Sequence, residues 1–185
     1  VQLDDGEIEL FARTGTGVAH CPCSNMRLAS GIAPVRQMLD SGMKIGLGVD
    51  GSASNDSGHM LNEVRQAMLL QRVNQGGDAM TARESLAVAT RGGADVLGRD
   101  DIGMLAPGYA ADIAAFDRRG IDFAGSDWDP LASLVFCGPV KAGYTIINGR
   151  IVVAEGQLAT MEMDRLLSRH AAMSHDLMRR SGLAG

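Results

Sequence analysis

Apolar residues recur along this chain with two different periods, and the change of period divides it. Between Asp4 and Thr14, Ile8 and Phe11 share a helical face; Asp4 and Glu7 are spaced as a capping box, and Gly15 is a stop. Gly17-Val18-Ala19-His20 reads as a short buried strand. A second helix is predicted from Pro34, a residue favoured in a first turn, with Val35, Met38 and Leu39 inward and Gly42 ending it. Lys44-Ile45-Gly46-Leu47-Gly48-Val49 is an apolar run of strand length that ends at Asp50. Strand, helix and strand within about thirty residues make a βαβ unit, whose two strands should be parallel and adjacent.

After Asp50 the polar loop Gly51–Gly58 leads into a long helix from His59 to Val73, with Leu61, Val64, Met68 and Leu69 as its apolar stripe. Thr81 and Glu84 form a second capping box, opening a helix that runs to Leu97. From Gly98 the period shortens. Pro107-Gly108 marks a turn, and Ala111 to Phe116 alternates as a strand. Val140–Ile147 and Arg150–Ala154 flank Asn148-Gly149, a strong hairpin signal. Met163 to Arg180 is predicted as a terminal helix. There is no internal repeat and no low-complexity linker. The chain therefore divides near residue 99 into an α/β unit and a small β-rich unit closed by a helix. Two parallel strands cannot close a sheet, and an open parallel edge is a liability, so a further covering segment is expected.

Composition narrows the function classes. At 185 residues the chain can build one sizeable core, and 45% hydrophobic content excludes wholesale disorder. A net charge of −5 with interspersed signs predicts no nucleic-acid partner. No run of about eighteen apolar residues suggests a membrane span. No basic-then-apolar leader follows Val1-Gln2-Leu3-Asp4-Asp5. Three cysteines, an odd and low number, suit a reduced, cytoplasmic protein. The 11 methionines read as core filling. Opening on Val1 hints that an N-terminal portion is missing.

Asp50 is the first candidate for chemistry. It directly follows a predicted parallel strand, where functional residues of α/β proteins gather. A carboxylate there can ligate a divalent metal and accept a proton from bound water; the plainer reading is a turn former, since Asp-Gly is a common loop dipeptide. His20 ends the neighbouring strand, so both side chains should emerge at one mouth, within reach of one substrate. Its alternative role is to hydrogen-bond the loop backbone. Cys21-Pro22-Cys23 has no second pair nearby and reads as packing thiols. Ser24 and Asn25 are short polar residues suited to fixing a loop. The Ser52–Ser57 loop lacks the lysine and glycine spacing of a phosphate cradle. His59 opens a helix, and His170 and His175 lie among arginines on the terminal helix; both are read as solvated.

The segments His20-Cys21-Pro22-Cys23-Ser24-Asn25-Met26-Arg27-Leu28 and Gly46-Leu47-Gly48-Val49-Asp50-Gly51 resemble the amidohydrolase superfamily, in the branch of triazine hydrolases, adenosine-derivative deaminases and guanine deaminase. Pro107-Gly108-Tyr109-Ala110-Ala111-Asp112-Ile113 and Asn148-Gly149-Arg150 match later pieces of the same family. The loop Gly48–Ser57 and the helix Leu61–Leu69 look most like 8-oxoguanine deaminases. The resemblance implies an α/β fold: the C-terminal part of a (β/α)8 TIM-type barrel over 1–98, holding strands seven and eight, then part of a small β-sandwich over 99–160 and a terminal helix over 161–185.

It also implies a mechanism. One divalent ion, zinc or else iron, activates water for attack on a ring carbon bearing an amino group. Asp50 would ligate that ion and take the water proton, with His20, Ser24, Asn25 and Ser52 in supporting or substrate-proximal positions. The substrate would be a small heterocycle, 8-oxoguanine first, yielding urate and ammonia. A triazine, guanine or an adenosine derivative is the alternative within the branch. The family's histidine ligands would all precede Val1, so this chain alone is expected to be inactive and to need the missing N-terminal barrel portion. A homo-oligomer is expected. The contrasting non-enzyme reading is a scaffold or oligomerisation segment, and a weaker one is a nucleotide-binding module built on the Ser52–Ser57 loop.

Overall fold

The computed structural model describes residues 1–182. Helix α1, Asp5–Thr14, begins where expected: the Asp4 side chain accepts the Glu7 amide, and the Glu7 side chain accepts the Asp4 amide. It stops at Gly15 in the left-handed conformation. Strand β1, Gly17–His20, follows, then α2, Pro22–Arg27, α3, Val35–Asp40, and β2, Lys44–Leu47. The two strands pair in parallel, His20 opposite Leu47, and the Gly48 amide extends the pairing to the His20 carbonyl at 2.9 Å. The βαβ reading is therefore observed.

Two details differ from expectation. β1 is not a buried strand: only His20 is buried, since β1 has β2 on one side and, among the described residues, no strand on the other. Ser24 and Asn25 sit in the short helix α2 rather than in a loop. That helix places Pro22 in its first turn, where the missing amide costs nothing.

Helix α4, Met60–Gln75, buries Leu61, Val64 and Met68 as predicted, and also Glu63 and Gln71. Beyond it, α5, Ala82–Ala87, carries the Thr81–Glu84 capping box; it continues through a π-helical turn, Val88–Gly92, into α6, Gly93–Leu97. The turn has a packing reason. A side chain at Gly92 would collide with the Ile45 carbonyl oxygen, and one at Gly46 would come within 3.0 Å of the Gly93 Cα. Helix and strand thus meet backbone to backbone, which seats β2 and fixes where its C-terminal end points.

The second part is an antiparallel sheet ordered β3 Ile113–Ala115, β4 Tyr144–Ile147, β5 Arg150–Ala154, β6 Gln157–Leu158. Asn148 and Gly149 both take positive φ, 47° and 77°, as the tight hairpin demands. The sheet is a single layer among the described residues. Helix α7, Pro130–Phe136, breaks the β-rich stretch and packs back toward the first unit. Val135 is fully buried within the core of Ile8, Met38, Ile45, Val64 and Met68, and the Arg65 guanidinium bonds the Val135 and Phe136 carbonyls. Helix α8, Met163–Ser181, buries no residue; the expected helical stretch 161–185 extends past the described residues at 183–185. No helix among the described residues is long and apolar enough to cross a membrane.

Candidate active site

Parallel pairing in register brings the C-terminal ends of β1 and β2 together, and with them His20 and the loop at Asp50. Asp50 is exposed, with φ at 62°. A left-handed backbone costs a non-glycine residue about 1 kcal/mol, though aspartate tolerates it better than most. The strain is held in place by bonds to both carboxylate oxygens. Ser24, buried in α2, donates its hydroxyl to Oδ2 at 2.6 Å, and the Gly51 amide donates to Oδ1 at 2.7 Å. The Ser24 hydroxyl first, then the Gly51 amide and the Ser54 hydroxyl, hold this carboxyl below its ordinary range. Asp50 is therefore a fixed carboxylate at neutral pH. Beyond these bonds the carboxylate keeps lone pairs for a proton or a cation.

His20 is 4% exposed, and its ring is placed by Asn25, whose amide nitrogen lies a long 3.5 Å from Nδ1. Nε2 is buried without a partner among the described residues. Burial, the largest cause, lowers the His20 pKa to about 4, so the ring is neutral near pH 7. With Asn25 donating to Nδ1, the proton sits on Nε2 and leaves an unspent donor. His20, Asn25 and Asp50 line one cavity of about 280 Å³ with Phe11, Val18 and Met38. Another groove, about 400 Å³, opens at the other end of β2 near Lys44; its Arg36 is already paired with Asp40 and Glu84.

Of the residues singled out from sequence, Asp50, Ser24, His20 and Asn25 come together. Ser52 does not: it is exposed in the turn, with no hydrogen-bond partner for its hydroxyl among the described residues, and Ser54 is the loop serine that faces Asp50. The thiols of Cys21 and Cys23 are half-buried and free. Burial, and then Glu63, push the Cys23 thiol up to about 12, so it is no nucleophile at neutral pH. His59 is half-buried at the start of α4, with Nδ1 buried and, among the described residues, without a hydrogen-bond partner.

Two residues went unnoticed in the sequence. Glu63 is fully buried, its Oε2 accepting the Cys23 amide at 3.0 Å and its Oε1 accepting the Asn55 side-chain amide at 2.6 Å. Asn55 also donates to the Val49 carbonyl at 2.7 Å. The available signal was weak: Glu63 falls on the same face as Ala67 and Gln71, one helical turn apart each time.

As a metal site the arrangement is partial. Asp50 is the right kind of donor for a divalent ion. However, among the described residues no group of three or more His, Cys, Asp or Glu could hold one. These residues alone do not fit a resident metal.

The fold and site define an α/β protein that gathers its polar chemistry at the C-terminal ends of parallel strands. More narrowly, the chain belongs to the amidohydrolase family, whose model matches residues 1–152. It is 45% identical over 178 residues to an 8-oxoguanine deaminase of Pseudomonas aeruginosa, covering 96% of this chain and 39% of that protein. It is 46% identical over 195 residues to an isoxanthopterin deaminase of an unknown prokaryotic organism, covering 97% of this chain and 40% of that protein. Among solved structures it superposes with a TM-score of 0.87, at 36% identity, on atrazine chlorohydrolase from Arthrobacter aurescens TC1 complexed with zinc, covering 93% of this chain and 39% of the other. The chain thus spans about two fifths of the length of the relatives it matches.

Proposed function

We propose that this chain is the C-terminal part of a metal-dependent hydrolytic deaminase, its strands β1 and β2 being the seventh and eighth of a (β/α)8 barrel and β3–β6 part of a small sandwich. The substrate proposed first is 8-oxoguanine, which water converts to urate and ammonia. The observation that carries the reading is Asp50: an ionised carboxylate at a parallel-strand tip, fixed by Ser24 and Gly51, beside a cavity that a neutral histidine lines. The likeness to deaminases supports it.

In this reading Asp50 supplies one ligand, and the other ligands come from barrel residues outside this chain. A divalent ion, zinc by the likeness to the chlorohydrolase, would be held by Asp50 together with ligands outside this chain and would supply Lewis acidity there. The part of Asp50 itself would be that of a general base, its remaining lone pairs accepting a proton from the attacking water and passing it to the leaving amine. Ser24 and the Gly51 amide keep the carboxylate in one orientation, so that no reorganisation is needed when the proton moves. The buried His20 ring keeps Asn25 and the rim of the cavity in place. This chain alone is proposed to be inactive.

A second reading within the same site is favoured by the 46% identity to an isoxanthopterin deaminase. Both heterocycles carry the amino group on a pyrimidinone ring fused to a second oxo-bearing ring, so a cavity built for one chemistry suits the other. The deciding experiment measures ammonia release by the full-length protein on 8-oxoguanine, isoxanthopterin, guanine and a hydroxytriazine. Preference for the triazine would overturn the substrate proposal. Asp50→Asn should cost bound metal and lower kcat/KM by roughly 10²–10⁴-fold. A metal-free wild-type protein, equally stable with either residue, would instead favour a scaffold.

A further inference from the structure

Six residues around the candidate site close a ring. The Cys23 amide donates to Glu63 Oε2 at 3.0 Å, and Glu63 Oε1 accepts the Asn55 side-chain amide at 2.6 Å. That same amide donates to the Val49 carbonyl at 2.7 Å. Val49 is bonded to Asp50, whose Oδ2 accepts the Ser24 hydroxyl at 2.6 Å, and Ser24 is bonded to Cys23. The ring joins three elements distant in sequence: α2 after β1, the loop after β2, and the first turn of α4.

We propose that Glu63 is a positioning residue for Asp50, acting through Asn55 and Val49 on one side and through Cys23 and Ser24 on the other. The proposal rests on reading Asp50 as the working carboxylate. Glu63 is 0% exposed, and a carboxylate is costly to bury when nothing demands it. Both of its oxygens face N–H donors, which only a carboxylate can satisfy together. Asn55 has no freedom either. Its two amide protons go to Val49 and Glu63, while its Oδ1 accepts the Ser57 hydroxyl and the Gly58 amide, both at 3.3 Å. A flipped amide would break all four bonds, so the Val49 carbonyl, one peptide before Asp50, is held from a single direction. Ser24 fixes the Asp50 side chain, and the Glu63–Asn55 pair fixes the backbone that carries it. Together they hold a left-handed aspartate that neither would hold alone.

The discriminating variant is Glu63→Gln. It keeps volume and shape but turns one oxygen into an N–H group that must face another donor, at Asn55 or at Cys23. The readout is the Gly51 amide proton resonance of the full 185-residue chain, which reports the bond from Gly51 to Asp50 Oδ1 and needs no turnover. The expected result is an upfield movement of that resonance in Glu63→Gln, in the same direction as in Ser24→Ala. A Gly51 resonance that stays fixed while only the Cys23 amide moves makes Glu63 a local brace and overturns the proposal. Should Glu63→Gln fail to fold, Ser24→Ala reads the ring in the other direction. The Asn55 side-chain amide resonances must then shift, and if they are unmoved the proposal is equally overturned. In the active full-length protein Glu63→Gln should lower kcat by roughly 10–100-fold with KM little changed. A wild-type protein without turnover would sink the functional reading and leave the resonance test standing, so the two failures are distinguishable.

Discussion

The α/β unit up to α6 and the sheet with α8 that follows both carry apolar residues at regular spacing, yet only the first turns them into a core. Ile8, Val35, Met38, Ile45, Val64 and Met68 are each 2% exposed or less. In β3 to β6 no residue is buried, and Ile147 and Ile151 are about half exposed; along α8, Leu167, Met173 and Leu177 are exposed by more than half. The difference teaches that periodicity predicts an element and its apolar face, while burial requires a second layer. In the first unit the helices supply that layer over β2. In the second, a single sheet and a lone helix have none among the described residues. The site lies in the first unit because only there do packed elements on several sides hold polar groups still.

The largest effect expected from this comparison is at Gly92. Replacement by Ala forces a methyl group against the Ile45 carbonyl, where rigid backbone stands on both sides. A loss of about 3 kcal/mol in denaturant unfolding is expected, at the upper end for over-packing. A neutral substitution would mean that α6 does not seat on β2 as described, and the first unit would then be no better ordered than the second.

The next effect is a pH dependence confined to the first unit. The folded pKa of His20 is lowered to about 4, against 6.5 when free, first of all by burial. The fold therefore favours the neutral ring. The stability tied to it is complete above pH 6.5 and drains away as pH falls toward 4, because the unfolded chain then binds the proton more tightly. His20→Gln should flatten the unfolding free energy between pH 6.5 and 4 by up to roughly 3 kcal/mol. Equal slopes for the two proteins would place the ring in water.

Much of this was legible beforehand, and the failures have physical causes. The Asp4–Glu7 and Thr81–Glu84 boxes and the Asn148-Gly149 turn are local hydrogen-bond or φ requirements, which residue types announce directly. That Asp50 and His20 line one cavity followed from one βαβ pattern. Helix α2 was hidden, since six residues are too few to show a period. Strand β6 was hidden too, because its turn puts Glu155 at a φ of 50°, and glutamate is no turn signal. Glu63 and Asn55 carried no signal of their own, since a buried polar ring depends on partners 40 and eight positions away in sequence. Ser54 was missed in favour of Ser52 for a related reason: only loop geometry decides which of two near serines faces the carboxylate.

Val135 separates sequence position from packing. It lies in the second stretch of the chain but is 0% exposed within the first unit's core. Val135→Ala should cost about 2 kcal/mol, the lost methyl groups plus the cavity they leave. A cost near zero would detach α7 from that core and return the boundary to residue 99.

The smallest expected effect tests the other side of the comparison. Ile151, the second residue of β5, is 50% exposed and paired with Ile146 across the sheet. Thr keeps the β-branched shape that a strand prefers and removes only apolar surface that already meets water. Ile151→Thr should therefore change the unfolding free energy by no more than about 0.5 kcal/mol. A loss well above that in the full chain would mean that the face of this sheet is covered in solution. The contrast between the two regions would then lie in what each packs against, since the apolar pattern along β4 and β5 is already that of strands with a face to bury.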